Sequence, residues 1–255
     1  MSGSIVDKPK LSVITVVYNS EKHIERTILS VIGQSYRNIE YIIIDGKSTD
    51  QTVNNIKKYE DRITTFVSEK DKGIYDAMNK GLNMASGDYV VFLNSGDEIY
   101  ANDTIEKVFS GDKNWTDVYY GETEIYNEDW ESQGNRRLKA PSVLTWKSLK
   151  GGMLVCHQSF IVKKSIAPNY DLNYKLAADF DWMIKCLKKS NTIENTNLYI
   201  SKFMAGGKSR QNTLNSLKER FEIMVGNFGL LAVMYCHIVI SIKFFSYVLV
   251  HRKIN

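Results

Sequence analysis

The sequence lacks the features that mark several common protein classes. Its three cysteines, Cys156, Cys186 and Cys236, are far apart and follow no metal-ligand or redox spacing, so we expect free thiols in a reducing compartment. The N-terminal segment MSGSIVDKPK lacks the apolar run of a secretory signal, which favours a cytosolic location for the body of the protein. No glycine-rich dinucleotide fingerprint follows the first predicted strand, and no P-loop motif occurs, which disfavours NAD-type oxidoreductases and P-loop NTPases.

A net positive charge is found only near the C-terminus. The formal net charge of the 255 residues is +4 at pH 7, but residues 206–255 hold seven Lys/Arg and two Asp/Glu, a net of +5, so the preceding residues sum to −1. Such a near-neutral body argues against a nucleic-acid-binding domain. A hydrophobic fraction of 43% and a charged fraction of 24% are typical of a globular chain and exclude a disordered, collagen-like or coiled-coil protein.

Short apolar runs alternate with helical patterns in the first half of the chain. The runs that predict strands are 11–18, 41–45, 63–68, 88–100 and 117–121. Ser20 is a candidate N-cap for the first helix. Because the strands are apolar rather than alternating, we expect parallel βαβ units in a doubly wound α/β sheet covered on both faces. Further along, a strand is expected over 156–164 and an amphipathic helix over 177–190.

Acidic side chains follow several predicted strands, where ligands of open α/β sheets bind. Asp45 follows the second strand and is either a loop cap or an acceptor for a nucleobase N–H. Asp97 is either part of a turn rich in turn-forming residues or a ligand that holds Mg²⁺ or Mn²⁺ against a diphosphate. Asp179 and Asp181 are either helix-capping carboxylates or sources of a general base. His157 is interpreted as a buried core histidine.

Four motifs, in this order, resemble the bacterial family 2 inverting glycosyltransferases with the GT-A fold. They are LSVITVVYNSEKHIERTILSVIGQSYRNIEYIIIDGKSTDQT, SEKDKGIYDAMNKGLNMASGDYVVFLNSGD, CHQSF and LAADFDW. The resemblance is greatest to the branch that builds colanic acid and related capsule or O-antigen polysaccharides. It implies a GT-A domain over residues 1–205, with a nucleotide-sugar-binding half at about 10–120 and an acceptor-binding, catalytic half at about 121–205.

The resemblance also implies roles for individual positions. The residues expected to contact the nucleotide-sugar donor are Thr15, Val17, Tyr18, Asp45, Lys72, Gly73, Asp76, Asn94, Ser95 and Gly96. Among them, Tyr18 is expected to contact the uracil face and Asp45 the base imide. Asp97 is expected to bind a divalent cation, Mn²⁺ or Mg²⁺, and Asp179 to act as the catalytic base.

This sequence departs from the family pattern at two places. Asn94 and Gly96 stand where many members have acids, and fewer carboxylates weaken cation binding, so the dependence on metal is expected to be loose. The usual Glu-Asp pair is reduced to Ala178-Asp179, which leaves Asp181 as a competitor for the role of base.

The implied activity is transfer of a sugar from a UDP-sugar to a hydroxyl of a lipid-linked glycan, with inversion, in the biosynthesis of a bacterial surface polysaccharide. Two other classes are weighed against it. A nucleotidyltransferase is disfavoured because YNSEKH, after the first strand, is not a glycine-rich basic loop. A non-catalytic nucleotide-binding protein is disfavoured by the presence of both Asp97 and Asp179. No nucleic-acid partner is expected.

The C-terminal region, 206–255, is predicted to be basic, hydrophobic and helical. Residues 223–250 include 21 apolar residues, and that length is close to the ~20 residues that cross a bilayer. His237 and Lys243 would point in different directions on one helix, so no clean polar face is expected. The alternatives are a buried helix or homodimer contact and, favoured, peripheral attachment to the inner face of the cell membrane. Flanking basic residues suit anionic headgroups; they are Lys208, Arg210, Lys218, Arg220, His251, Arg252 and Lys253.

Overall fold

The computed structural model describes residues 8–111, 115–206 and 212–239. The strands are β1 (Leu11–Val17), β2 (Ile39–Asp45), β3 (Thr65–Ser68), β4 (Tyr89–Phe92), β5 (Glu98–Ile99), β6 (Val118–Tyr126), β7 (Ser132–Asn135), β8 (Phe160–Lys163) and β9 (Ile193–Met204). The α-helices are α1 (Ile24–Ile32), α2 (Thr52–Lys57), α3 (Ile74–Met84), α4 (Thr104–Val108), α5 (Ala178–Lys189) and α6 (Thr213–Phe228). Residues 230–239 are also helical.

These strands form one sheet in the order β3-β2-β1-β4-β8-β6-β9-β5, with β7 paired to β6. Strands β1 to β4 pair in parallel, as expected for a doubly wound sheet. The expectation of a mostly parallel sheet is wrong for the second half, where β8 is antiparallel to both β4 and β6, and β5 is antiparallel to β9. Because β6 pairs in parallel with β9, the second half of the sheet is mixed rather than wholly antiparallel.

Apolar layers cover both faces of the parallel strands. In β1, Ile14 and Val16 face one layer together with residues of α3 and α5, whereas Leu11 and Val13 face the other layer with α1. Helix α3 lies very close to β1, because a Cβ added to Gly81 would be 2.4 Å from Ile14 Cγ2. This close packing fixes the start of α3 at the carboxyl edge of the sheet.

Two predicted boundaries differ from the structure near the functional edge. Helix α1 begins at Ile24 with His23 as N-cap, not at Ser20. The Ser20 carbonyl accepts the N–H groups of His23 and Ile24, and its side chain accepts a hydrogen bond from Ser95 Oγ. The predicted strand over 156–164 divides into a 3-10 turn, His157–Ser159, and the shorter strand β8.

The described part of the C-terminal region, residues 212–239, is largely helical, but the expected continuous hydrophobic helix is not seen there. Helix α6 ends at Phe228, and its C-cap, Gly229, has a φ of +81°. Ile223, Met224 and Val233 are buried against the core. Residues 240–255 lie outside the described residues, as do Lys208 and Arg210. Over 8–111, 115–206 and 212–239, no helix is both long and apolar enough to cross a membrane.

The three cysteines are free thiols, as expected from their spacing. Cys156 and Cys186 are buried, and burial raises the pKa of both thiols. A raised pKa keeps a thiol protonated and unreactive. We therefore assign both side chains to packing.

Candidate active site at the carboxyl edge of the sheet

The strand order reverses at β1, which has β2 on one side and β4 on the other. This reversal is the place where open α/β sheets bind ligands. The segments that follow these strands lie side by side, because Gly46 N donates to the Val17 carbonyl at 2.9 Å and Ser95 N to the Val16 carbonyl at 3.3 Å. Residues expected to contact the donor therefore meet at one edge.

The surface between the segments that follow β1 and β2, at Tyr18, Gly46 and Asp71, is the expected nucleotide crevice. The Tyr18 side chain is 54% exposed. A Cβ added to Gly46 would lie 3.4 Å from Tyr18 Cδ2 and 3.0 Å from Asp71 Oδ2. Glycine at position 46 thus allows the tyrosine ring and the Asp71 carboxylate to approach the backbone closely. A flat apolar face and a carboxylate line this crevice.

Asp45 lies buried at the bottom of this crevice. Its carboxylate accepts hydrogen bonds from Ser48 N at 3.0 Å, Ser48 Oγ at 2.5 Å and Ser68 Oγ at 2.6 Å. It therefore caps the loop after β2. A carboxylate has about four acceptor positions, so these three bonds leave one for a ligand N–H.

Two residues expected to contact the donor lie within the sheet. The Thr15 side chain is fully buried, and its Oγ1 is 3.2 Å from Tyr41 Oη. Val17 is buried in the apolar layer that includes α1. Tyr18, which follows the strand, projects from the edge of the sheet, whereas Thr15 and Val17 are buried.

The start of α3 forms a charged border to the site. Gly73, the N-cap, has a φ of +134°, a conformation that side-chain-bearing residues rarely adopt. Asp76 Oδ2 accepts the Lys72 N–H at 2.9 Å and lies 3.9 Å from Lys80 Nζ. Lys80 also pairs with Asp71 at 2.5 Å and with Glu69 at 2.8 Å. Lys80 thus pairs with all three carboxylates, and because the segment also holds Lys70 and Lys72, residues 69–80 carry no net charge.

The turn after β4 is fixed by side chains of α1. Gly96 N donates to Thr27 Oγ1 at 2.9 Å, and the Thr27 hydroxyl donates to the Asp97 carbonyl at 2.8 Å. Gly96 has a φ of +100°, and a Cβ there would lie 2.6 Å from Met204 Cε. The positive φ, more than the contact with the flexible Met204 side chain, favours glycine over an acid at this position.

Asp97 is buried, with both carboxylate oxygens hydrogen-bonded. Oδ2 accepts from Gln158 Nε2 at 2.7 Å, and Oδ1 accepts from Met204 N at 3.0 Å. Burial raises the pKa of Asp97 to about 6, against the opposing effect of these two hydrogen bonds and of His157. The carboxylate is therefore ionised at neutral pH and takes up a proton in mildly acidic solution.

Asp179 lies in the first turn of α5 and faces three hydrogen-bond donors. Oδ1 accepts from Tyr75 Oη at 3.2 Å and from Phe180 N at 2.9 Å, and Oδ2 lies 3.4 Å from His157 Nδ1. Burial opposes the charged form, but the hydrogen bond and charge of His157, followed by the charge of Arg220, outweigh it and lower the pKa of Asp179. This carboxylate stays ionised at neutral pH.

His157 connects Asp179 to the turn after β4. Its Nε2 lies 3.3 Å from Asn94 Nδ2, an arrangement that suits an imidazole protonated at Nδ1, with Asp179 as the acceptor. The histidine is buried, as expected, but its partners belong to the site. The next residue, Gln158, contacts Asp97, so one 3-10 turn contacts both acids.

Asp181, the competing candidate for the base, has a different partner. Its Oδ2 lies 2.5 Å from Lys185 Nζ, one helical turn further along α5. The side chain is buried. The structure thus brings Asp179, and not Asp181, into contact with His157 and Tyr75.

Sequence reasoning did not assign four residues to the surroundings of the two acids: Gln158, Tyr75, Glu219 and Arg220. Arg220 was expected to face anionic headgroups, but its Nε is buried and its charge acts on Asp179. Gln158 adjoins His157 in the CHQSF motif, so that motif contained a signal for it. Glu219 accepts hydrogen bonds from the backbone just before α5, and the charge of Arg220 acts on Asp179. These α6 residues lie about 40 positions beyond Asp179, and no local pattern relates the two segments.

Solved glycosyltransferases share this fold. Residues 1–349 of TarS from S. aureus, in complex with UDP, superpose with a TM-score of 0.68 at 20% identity, covering 85% of this chain and 64% of that one. The mannosyltransferase PcManGT from Pyrobaculum calidifontis, in complex with GDP-Man and Mn²⁺, gives a TM-score of 0.65 at 15% identity, covering 91% of this chain and 71% of that one. At these identities the likeness shows the fold alone.

Curated relatives are nearer in sequence. An uncharacterised glycosyltransferase of Haemophilus influenzae is 43% identical over 105 residues, which are 40% of this chain and less than half, 42%, of the relative. One from Mycobacterium tuberculosis is 33% identical over 186 residues, 69% of this chain and 68% of the relative. A PGL/p-HBAD biosynthesis glycosyltransferase of Mycobacterium bovis is 28% identical over 187 residues, 70% of each. Residues 12–168, more than half of the chain, match glycosyl transferase family 2, and the protein therefore belongs to that family.

Proposed function

We propose that this protein is an inverting glycosyltransferase that moves a sugar from a UDP-sugar to a hydroxyl of a lipid-linked glycan. One observation carries the proposal: the connection from Asn94 through His157 to Asp179 brings an ionised carboxylate to the edge where such sheets bind ligands. Family membership supports glycosyl transfer, and the nucleotides in the TarS and PcManGT structures support a nucleotide-diphosphate donor.

The donor occupies the edge from the crevice to the turn after β4. The exposed Tyr18 ring takes the uracil face by stacking, and Asp45 has one acceptor position left for a base N–H. Lys72, Gly73 and Asp76 border the ribose and diphosphate, together with Ser95 and Gly96. The nucleotide-sugar-binding half is thus assigned to about residues 10–120 and the acceptor half to about 121–205.

A divalent cation, Mn²⁺ or Mg²⁺, fits the residues of this turn. Each Asp97 oxygen accepts one N–H and keeps a second lone pair for a cation. Asn94 Oδ1 is buried without a hydrogen-bond partner, and hard cations prefer such oxygens. Because the described residues contain no group of three His, Cys, Asp or Glu arranged for a metal, donor oxygens must complete the coordination and cation binding is loose. When bound, the cation supplies charge neutralisation for the leaving diphosphate.

Asp179 acts as the general base. It takes the proton of the acceptor hydroxyl while that oxygen attacks the anomeric carbon. The bond from this carbon to the diphosphate breaks in the same displacement, and UDP leaves with the electron pair. The configuration inverts, so an α-linked donor gives a β-glycoside without a covalent enzyme intermediate. The hydrogen bonds of His157 and Tyr75 hold the carboxylate during the transfer.

Release of UDP from a panel of radiolabelled UDP-sugars tests the proposed activity. We expect the full-length protein to release UDP in the presence of Mn²⁺ from at least one donor, faster with a lipid-linked acceptor than with water. Protein heated past unfolding is the control. Nucleotide binding without release from any donor, with or without lipid acceptor, would instead support a non-catalytic binding protein. Pyrophosphate production from UTP and a sugar phosphate would identify a nucleotidyltransferase.

The C-terminal helices are proposed to attach the enzyme to the anionic inner face of the cell membrane. Residues 230–239 expose an apolar stripe at helical spacing, formed by Leu230, Leu231, Met234, Tyr235 and Ile238. Leu214 and Leu217 of α6 are also exposed. Basic residues in the sequence after 239 suit anionic headgroups. Such a surface brings a lipid-linked acceptor within reach of the site.

Charged substitutions in the stripe test this attachment without removing core residues. We expect Leu231→Asp with Ile238→Asp to abolish sedimentation of the protein with vesicles that contain anionic lipid, because both side chains are more than half exposed. Val143→Asp is the matched control, because Val143 is an exposed apolar residue that is far from the stripe in the sequence. Unchanged sedimentation contradicts the proposal, and a dimer that dissociates in the double variant would show that the stripe is a subunit contact.

A further inference from the structure

Helix α6 contacts the backbone at the start of the helix that carries Asp179. Glu219 Oε2 accepts hydrogen bonds from Leu176 N at 2.8 Å and Ala177 N at 3.0 Å, and Oε1 accepts from Lys175 N at 3.0 Å. Three consecutive N–H groups that converge on one carboxylate form an anion-binding nest. Because α5 begins at the next residue, the carboxylate fixes the direction in which the chain enters that helix.

Helix α5 has no cap of its own at this end. Ala177 is the N-cap and has no side chain that accepts a hydrogen bond. Helices usually begin with Ser, Thr, Asp or Asn at this position, and the loss of such a cap costs about 1 kcal/mol. Here the Glu219 carboxylate accepts the N–H of Ala177 and of the two residues before it, and its negative charge suits the positive end of the α5 dipole.

The residue after Glu219 acts on Asp179 itself. Arg220 Nε is buried and makes no hydrogen bond, while the positive charge of the side chain helps to keep Asp179 ionised. The other titratable groups near Asp179 include His157, Tyr75, Tyr170 and Cys156. Two consecutive residues of α6 therefore act on Asp179 in different ways. Glu219 binds the backbone that precedes it, and the charge of Arg220 favours its ionised form.

Helix α6 is firmly held against the body of the protein. Ile223 and Met224 are buried in the core, and Lys188 Nζ of α5 donates to Asn227 Oδ1 at 2.6 Å. Helix α6 lies outside the residues that match the family, 12–168, so family membership assigns no role to it.

We propose that Glu219 is a positioning residue, through which α6 sets the orientation of the catalytic carboxylate. The charge of Arg220, the next residue, supports this arrangement. This inference rests on the proposed role of Asp179 as base. The residues act through the backbone and the electric field rather than by contact with substrate. Helix α6 is thus part of the catalytic unit.

Glu219→Gln and Arg220→Gln test the inference in the full-length protein. A glutamine amide cannot accept all three N–H groups, so we expect kcat for UDP release to fall roughly ten- to hundredfold, the loss typical of a misplaced catalytic group. The donor KM and the Kd of UDP should change less than about threefold. Arg220→Lys, which keeps the charge, should retain more activity than Arg220→Gln. Glu222→Gln, at an exposed position one turn from Lys218, is the control.

Hydrogen exchange separates failure of this inference from failure of the proposed function. An open groove of about 550 Å³ borders Glu219, so water can replace the lost hydrogen bonds and the variant should fold. We expect faster exchange of amides 175–181 in Glu219→Gln and unchanged exchange in β1 to β4. Unchanged exchange, or an unchanged kcat, overturns the inference. A wild-type protein that releases no UDP overturns the proposed function, while the exchange result still decides whether Glu219 positions α5.

Discussion

Asp179→Asn is expected to lower kcat by roughly 10²- to 10⁴-fold, the contribution typical of a general base. The amide has the shape of the carboxylate and accepts hydrogen bonds from His157 and Tyr75, but it cannot take a proton from the acceptor. UDP binding should stay within about threefold of the wild type, because the proposed nucleotide contacts lie elsewhere on the edge. Single-turnover rates and calorimetric titration with UDP measure the two effects.

Asp181→Asn is the matched control for this experiment. Asp181 lies on the same helix, is buried and pairs with Lys185 rather than with His157. We expect it to keep most of the wild-type kcat, with a lower Tm because Lys185 loses its partner. A slow Asp181→Asn variant together with an active Asp179→Asn variant would transfer the role of base to Asp181.

Asp97→Asn is expected to lower kcat/KM in the presence of Mn²⁺ by roughly 10²- to 10³-fold, as for the loss of one group that stabilises developing charge. The fold should survive, since an amide can accept from Met204 N and donate to Gln158 once the glutamine amide turns over. Glu98→Gln, at the next position, is the control, because Glu98 pairs with Lys202. Wild-type activity in Asp97→Asn would contradict a role in cation binding.

The raised pKa of Asp97 gives this prediction a pH dependence. The folded-state pKa of about 6 lies above the ordinary value of 3.8, so the carboxyl is ionised above pH 6 and takes up a proton as the pH falls through that value. Protons and Mn²⁺ then compete for the same oxygens. At low Mn²⁺ we expect kcat/KM to fall below about pH 6, and at high Mn²⁺ the fall should move to lower pH. If the fall of kcat/KM at low pH does not respond to Mn²⁺, the titration of a group other than Asp97 causes it.

The first half of the fold could be predicted because β1 and β2 are mostly apolar runs. β1 and β2 carry LSVITVV and IEYIIID, which only a sheet covered on both faces can bury. The long strand β9, IENTNLYISKFM, escaped prediction because its polar residues alternate irregularly and its pairing with β6 shifts register. Its existence depends on neighbours supplied by tertiary structure rather than on a local pattern.

The candidate site was predictable as a set of positions but not as a network. Asp45, Asp97 and Asp179 follow or precede apolar elements, so a sequence pattern places them at ends of strands or helices. The partner of His157 was not predictable, because a buried histidine in CHQSF has the same sequence signal whether it contacts a core carbonyl or a catalytic carboxylate. Ser20 was misplaced for a related reason: its hydroxyl is used by Ser95, 75 residues away, instead of by a helix start.

The 3-10 turn at His157–Ser159 gives the two acids a common support. Neighbouring side chains on such a turn are about 120° apart, so one residue reaches Asp179 and the next reaches Asp97. The two carboxylates, which lie on separate elements, are thus linked through adjacent residues of one turn. A change in the conformation of this turn would alter the hydrogen bonding of both acids at once.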